Sequence, residues 1–308
     1  MAPVKNFRTH AELVELLAVR GMDVGDTGAA EALLRRFGYH RLGGYRYPFR
    51  TPLPAEQVDL AARTFRSDDY QPGTTLRDVL RLCEFDARLR EICLSGLLEF
   101  EVRLRAAMAH VLAARSPMAH LEPAHLDRAA CESRASEGTK FQAWTDTVDR
   151  AECRSADEDY AVHHRARGLG PHLPVWALID LLDFGSLPYL LDLMQRDDVA
   201  QVSAAFGVRH RVSFVKWVRA LSDLRNVCAH NQRLFNRVFK RAFVVRSRGM
   251  APDLDHLVAP TPSGDPRKLP PIVLEPACAP LVEAGPAMGF PAGWDAMPLW
   301  AREPLLTR

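Results

Sequence analysis

An all-α fold is predicted for this chain by three observations. Long stretches carry no proline and almost no glycine, above all from Thr74 or Thr75 to about Arg115. Apolar residues recur at intervals of three and four, the period of a helix with one buried face. No segment alternates apolar and polar residues in the manner of a half-buried strand. At 308 residues, 47% of them hydrophobic, the chain is long enough for one large or two modest domains with a proper core.

Taken in order, Thr9 is placed to cap a helix whose Leu13, Leu16 and Leu17 share a face, and Gly21 to end it. A second helix is expected from about Thr27 to Gly38. Residues 37–50, FGYHRLGGYRYPFR, read as a basic aromatic loop around two adjacent glycines. There Arg41, Tyr45, Arg46 and Tyr47 are candidate RNA contacts, the arginines for phosphates and the tyrosines for stacking on unpaired bases. The same residues also fit an aromatic mini-core that docks the N-terminal hairpin. Residues 51–73, with Pro52, Pro54, Pro72 and Gly73, read as a connector that closes an N-terminal region of residues 1–73.

Residues 74–245 are expected to form a helical bundle, with the long helix as its spine and a kink near Gly96. Glu101 and Arg105 lie four apart on that spine, as do Glu99 and Arg103. Either these are ordinary surface ion pairs, or Glu101 holds an active-site arginine. Residues 116–126 are punctuated by proline, and helix resumes over about 139–167. Pro174 suits the start of VWALIDLLDFG, which Gly185 should end, and Ser186 the cap of LPYLLDLMQ. A short helix over about 197–206 follows. In residues 209–237, Val212, Val215, Val218, Leu221 and Leu224 recur at helical spacing as a core face, and Arg219 among the basic residues is a further candidate RNA contact. Residues 246–308 hold too many prolines for a long helix, yet Ile272, Trp294 and Trp300 are too apolar for a solvated linker. A Pro-rich extended segment wrapping the bundle or a dimer partner is expected there, with no chemistry assigned.

Composition limits the function classes. The net charge of +2 implies no polyanionic partner by itself, although 35 of the 40 basic residues are arginine, the better residue for phosphate and stacked bases. A GC-rich genome produces the same bias. The six cysteines form no C-x-x-C pair, which suits a reduced, cytoplasmic protein. No apolar run approaches the ~20 residues of a membrane span. Cys153, His163, His164 and His172 match no standard ligand spacing, so neither metal nor cofactor is expected.

Residues 221–237, LSDLRNVCAHNQRLFNR, concentrate the chemistry. Arg225 offers a guanidinium for a phosphate, Asn226 an amide that orients a neighbour, and His230 an imidazole that moves protons near neutral pH. Asn226 and His230, four apart, are about 40° apart around a helix; Arg225 and His230, five apart, about 140°. Either the helix frays or bends after Asn226, or Arg225 and His230 serve a site shared by two copies. A purely structural role, with Arg225 simply salt-bridged in a dimer module, is also consistent.

RNVCAH resembles the catalytic signature of HEPN-domain ribonucleases. The wider chain resembles Abi-like abortive-infection proteins of the AbiD/AbiF type, through GYHRLGGYRYPF, LCEFDARLR, EVRLR, PVWALIDLLDFGSL and LRNVCAHNQRLFNR, over about residues 10 to 240. The resemblance implies a HEPN-like helical bundle that pairs as a homodimer, with Arg225, Asn226 and His230 as the active-site motif. Arg233 and Asn236 match its RLxNR continuation, and Glu101 and Arg105 its EVxxR block. Asn231 stands where the family often has a second histidine, leaving His230 as the proton-transfer residue of this segment. The implied function is a metal-independent endoribonuclease of a toxin–antitoxin type antiviral defence system, cleaving RNA through 2′-OH attack, with a small structured RNA as a candidate antitoxin. The alternative is an RNA-binding or antitoxin-binding module with weak or silenced catalysis.

Overall fold

The computed structural model describes residues 6–252 except 60, 63, 242, 244 and 246–248, and it is all-α in character. Eleven α-helices and one two-stranded ribbon are found among the described residues. Of the Pro-rich segment expected over 246–308, all but residues 249–252 lies outside them. The chain divides into two compact units, 1–89 and 90–308.

In the N-terminal unit, α1 (His10–Val19) opens with a capping box in which Thr9 accepts from the Glu12 amide and Glu12 accepts from the Thr9 amide. It ends in a Schellman motif: Gly21, at φ 88°, donates to Ala18, and Met22 donates to Leu17. Helix α2 (Thr27–Phe37) is capped by Asp26. Only Gly38, at φ 80°, separates it from α3 (Tyr39–Arg46).

The stretch expected to be a loop is therefore mostly helix. Gly43 and Gly44 inside α3 each cost about 1 kcal/mol of helix propensity. Burial of Leu42 and Tyr45 in the unit's core with Leu17, Leu34 and Val79 offsets that cost. The expected connector likewise contains β1 (Arg50–Pro52) and β2 (Arg66–Tyr70), paired antiparallel with Arg50 opposite Tyr70. Charges in β2 and the proline in β1 hid this pairing, which is short and irregular.

Helix α4 (Leu76–Ala113) runs for 38 residues, roughly 57 Å at 1.5 Å per residue, and is continuous through Gly96. Thr75 and Asp78 satisfy each other's orphan amides at its start. From Arg90 onward it belongs to the C-terminal unit. There it is followed by α5 (Arg128–Glu132), α6 (Lys140–Arg154), α7 (Asp159–Ala166), α8 (Val175–Leu181), α9 (Leu187–Leu193), α10 (Arg196–Ala204) and α11 (Arg211–Ala229). Leu104, Met108, Trp144, Leu178, Phe184, Leu190, Phe214 and Val218 share one core.

Two expectations are corrected in this unit. Ser186 makes no capping bond, because a 3-10 turn over Phe184–Ser186 already leads into α9. Val212 is exposed, whereas Val215, Val218 and Leu224 of the expected stripe are buried and are joined by Phe214 and Trp217. Among the described residues no helix is long and apolar enough to cross a membrane.

Candidate functional site

The i, i+4 pair on α4 turns inward. The Glu101 side chain is only 4% exposed and accepts from Arg105 at 2.6 Å. It also receives the fork of Arg225, Nε to Oε2 and Nη2 to Oε1, both at 3.1 Å. Two oxygens thus hold two guanidiniums from different helices, the bidentate geometry in which Arg and carboxylate match best. Arg105 also donates to the carbonyls of Ile179 and Leu182, at 3.1 and 2.7 Å. These sit at the end of α8, where a helix leaves carbonyls without intrahelical partners. The guanidinium of Arg225 lies 5.8 Å from the Phe184 ring centroid. Arg103, by contrast, lies over Phe206.

From Arg225 the network reaches Asn226, whose Oδ1 accepts from Arg225 Nη1 at 3.2 Å. The amide oxygen is thereby committed inward, and the two donors of the Asn226 NH₂ group remain on the other side of the amide. Helix α11 stays regular past this point. The His230 amide donates to the Asn226 carbonyl at 3.0 Å, the ordinary i→i−4 bond, so the helix does not fray between them. His230 is the C-cap and is exposed.

The chain then turns in a second Schellman motif: Asn231, at φ 55°, donates to Cys228, and Gln232 to Val227. Asn is the non-glycine residue best suited to that left-handed backbone, which gives position 231 a conformational role. On a helix that stays regular to its C-cap, Arg225 and His230, five apart, leave the axis about 140° apart.

Beyond the turn, Leu234 and Phe235 are buried anchors. On either side of them, Arg233 is half-buried, and Asn236 is exposed at φ 50°. Arg241 pairs with Asp223 at 2.7 Å and ties the segment back to α11.

The candidate RNA contacts separate into two groups. Tyr45 is 1% exposed and donates to the buried Asp86 at 2.5 Å; Arg46 is 3% exposed, donates to Tyr70 Oη and the Tyr39 carbonyl, and lies over the Tyr39 ring at 3.9 Å. Both lie in the interior of the N-terminal unit, as the mini-core alternative for this stretch expects. Helix formation over 39–46 is the reason, because it turns positions 42, 45 and 46 inward together. Arg41 is exposed and Tyr47 half-buried. Arg219 is half-buried and ion-paired with Asp192.

A family model described as Abi-like protein matches residues 32–236. The chain belongs to the Abi-like protein family. No curated protein and no solved structure matches it. Membership indicates abortive infection as the class of function. The matched span of this Abi-like chain holds every member of the Glu101 network and ends at Asn236.

Other groupings were not visible in the Abi-like sequence. Asp149, Glu152 and His172 bring ligand atoms within 4.8 Å of one another. Glu152, however, already accepts from the Leu173 amide at 2.7 Å and meets His172 Nδ1 at 2.9 Å. His120 is fully buried, and neither ring nitrogen has a partner. Burial first, and the nearby His172 second, push its pKa down to about 4, so the ring is neutral at physiological pH. His172 lies 20 residues from Glu152 and 52 from His120 in the chain, so no local spacing announces these meetings.

Proposed function

We propose that this Abi-like chain is a metal-independent endoribonuclease of HEPN type, acting in abortive infection as a homodimer. The observation that carries the reading is the chain of contacts from buried Glu101 through Arg225 to Asn226, one turn before an exposed His230 at the end of an intact helix. In this scheme His230 takes the proton from a ribose 2′-OH, which attacks the adjacent phosphorus as the P–O5′ bond breaks, and the leaving 5′ oxygen takes up a proton from solvent. The outward NH₂ group of Asn226 donates to the phosphate oxygens as charge develops there. Arg225 orients Asn226 and adds its positive charge to the site. In the homodimer a second α11 end, with its own Asn226 and His230, lies beside the first.

Labelled RNA incubated with the full-length protein in EDTA tests the scheme. The expected products carry a 2′,3′-cyclic phosphate and a 5′-OH, DNA is resistant for want of the 2′-OH, and His230→Ala abolishes cutting. A strict Mg²⁺ requirement, or unchanged cutting by His230→Ala, overturns it.

The bidentate grip of Glu101 on Arg225 favours a second reading, a module that binds RNA or an antitoxin with catalysis silenced. A discrete RNA that copurifies, persists in His230→Ala and is lost at high salt distinguishes it.

A further inference from the structure

A cleft of about 360 Å³ opens in the N-terminal unit, walled by Arg20, Arg46 and Arg50, with Asp68, Tyr39 and His40. Asp68 bridges two of the arginines, at 2.6 Å to Arg20 and 2.8 Å to Arg50. Arg46, which is 3% exposed, has no carboxylate partner among the described residues; its contacts are the Tyr70 hydroxyl, the Tyr39 carbonyl and the Tyr39 ring. The Nε atoms of Arg46 and Arg50 are both buried without a hydrogen-bond partner.

A guanidinium cannot relieve its burial by losing a proton, so a buried arginine calls for a counter-charge. Among the described residues that line the cleft, three guanidiniums stand against one carboxylate, an excess of two positive charges in a concave site whose walls concentrate the field. A doubly charged anion with several acceptor oxygens fits that deficit, as a phosphomonoester near neutral pH does. A cleft of this size lies at the lower end of the range for small organic ligands, ~300–1,000 Å³. The phosphate therefore brings an organic group with it.

We infer that this cleft is a binding site for a phosphomonoester carried on a small organic group, with Arg20, Arg46 and Arg50 as its phosphate donors. Asp68 holds Arg20 and Arg50 in position and competes with the ligand for their charge. The site is distinct from the Glu101–Arg225 network and does not depend on nuclease activity.

Calorimetric titration of the full-length protein with adenosine 5′-monophosphate, adenosine and inorganic phosphate tests this. Adenosine 5′-monophosphate is expected to bind, inorganic phosphate about tenfold more weakly, and adenosine not at all. A 5′-phosphorylated oligoribonucleotide, set beside its 5′-OH counterpart, tells a chain end from a free nucleotide as the natural source of the same group.

Arg50→Gln should weaken binding of the monophosphate about tenfold, whereas Asp68→Asn should tighten it severalfold. A gain of affinity cannot come from misfolding, so the second variant keeps the test decisive if the first is unstable. Absence of monophosphate binding at millimolar concentration, equal binding of adenosine, or affinity unmoved by both substitutions overturns the inference.

Discussion

In the C-terminal unit, Arg105 and Arg225 share Glu101, whose side chain is almost wholly removed from water; in the N-terminal unit, Arg20 and Arg50 share Asp68, whose side chain is 60% exposed. Beside the second pair lies Arg46, more deeply buried than any of the other four and without a carboxylate partner among the described residues. The first arrangement is closed: its carboxylate is saturated, and its spare donors go to backbone carbonyls and to Asn226. The second is open, with positive charge in excess around a cleft. The difference separates an arginine group built to hold elements in place from one with capacity left for a ligand. Counting arginines in the sequence cannot make that distinction.

The contrast is most exposed to test at Glu101. Replacing it by Gln keeps the shape and strands two partly buried guanidiniums, so urea denaturation should show a loss of about 3 kcal/mol or more. A loss below about 1 kcal/mol would mean that the closed network is no more than a surface ion pair.

A second test uses His120, a buried base that, unlike Arg46, sheds its charge. Its pKa falls from about 6.5 in the unfolded chain to about 4 in the folded protein. The unfolded state therefore binds the proton first as pH falls. Stability is fully present above about pH 6.5 and declines as pH drops towards 4, by roughly 3 kcal/mol in all. Denaturation curves at pH 7, 5.5 and 4 should show this slope, and His120→Leu should flatten it.

The smallest effect is expected at Asp68. Because it is largely solvated, Asp68→Asn should change stability by less than about 1 kcal/mol by the same denaturation assay. A loss comparable to that of Glu101→Gln would erase the distinction between the two clusters.

Much of this was legible from local pattern. Thr9 and Gly21 bound α1 as their chemistry requires, and the chain from Leu76 to Ala113 is helical as its lack of proline implies. The chemistry of Arg225, Asn226 and His230 was visible as residue types at a stated spacing, whereas the regular backbone from Asn226 to His230 was not. Other features were not. α3 forms against two glycines because Leu42 and Tyr45 find a core, and tertiary burial of that kind leaves no mark at the glycines themselves. In the sequence Asn231 stands out only as the lack of a second imidazole, while its left-handed backbone is what ends α11. Gly21 performs the same turn at the end of α1 and was read at once, because glycine advertises it and asparagine does so only weakly.

By itself the sequence determined the helical character, the principal start and stop signals, and the segment in which an amide and an imidazole lie one turn apart. These follow from side-chain periodicity and capping, which act within a few residues. Tertiary structure alone decided which charges meet. It placed Glu101 against an arginine 124 positions away, and Asp68 against one 48 positions away. It also buried Arg46 with no carboxylate, since pairing, desolvation and cavity shape depend on distances in space that spacing along the chain does not encode.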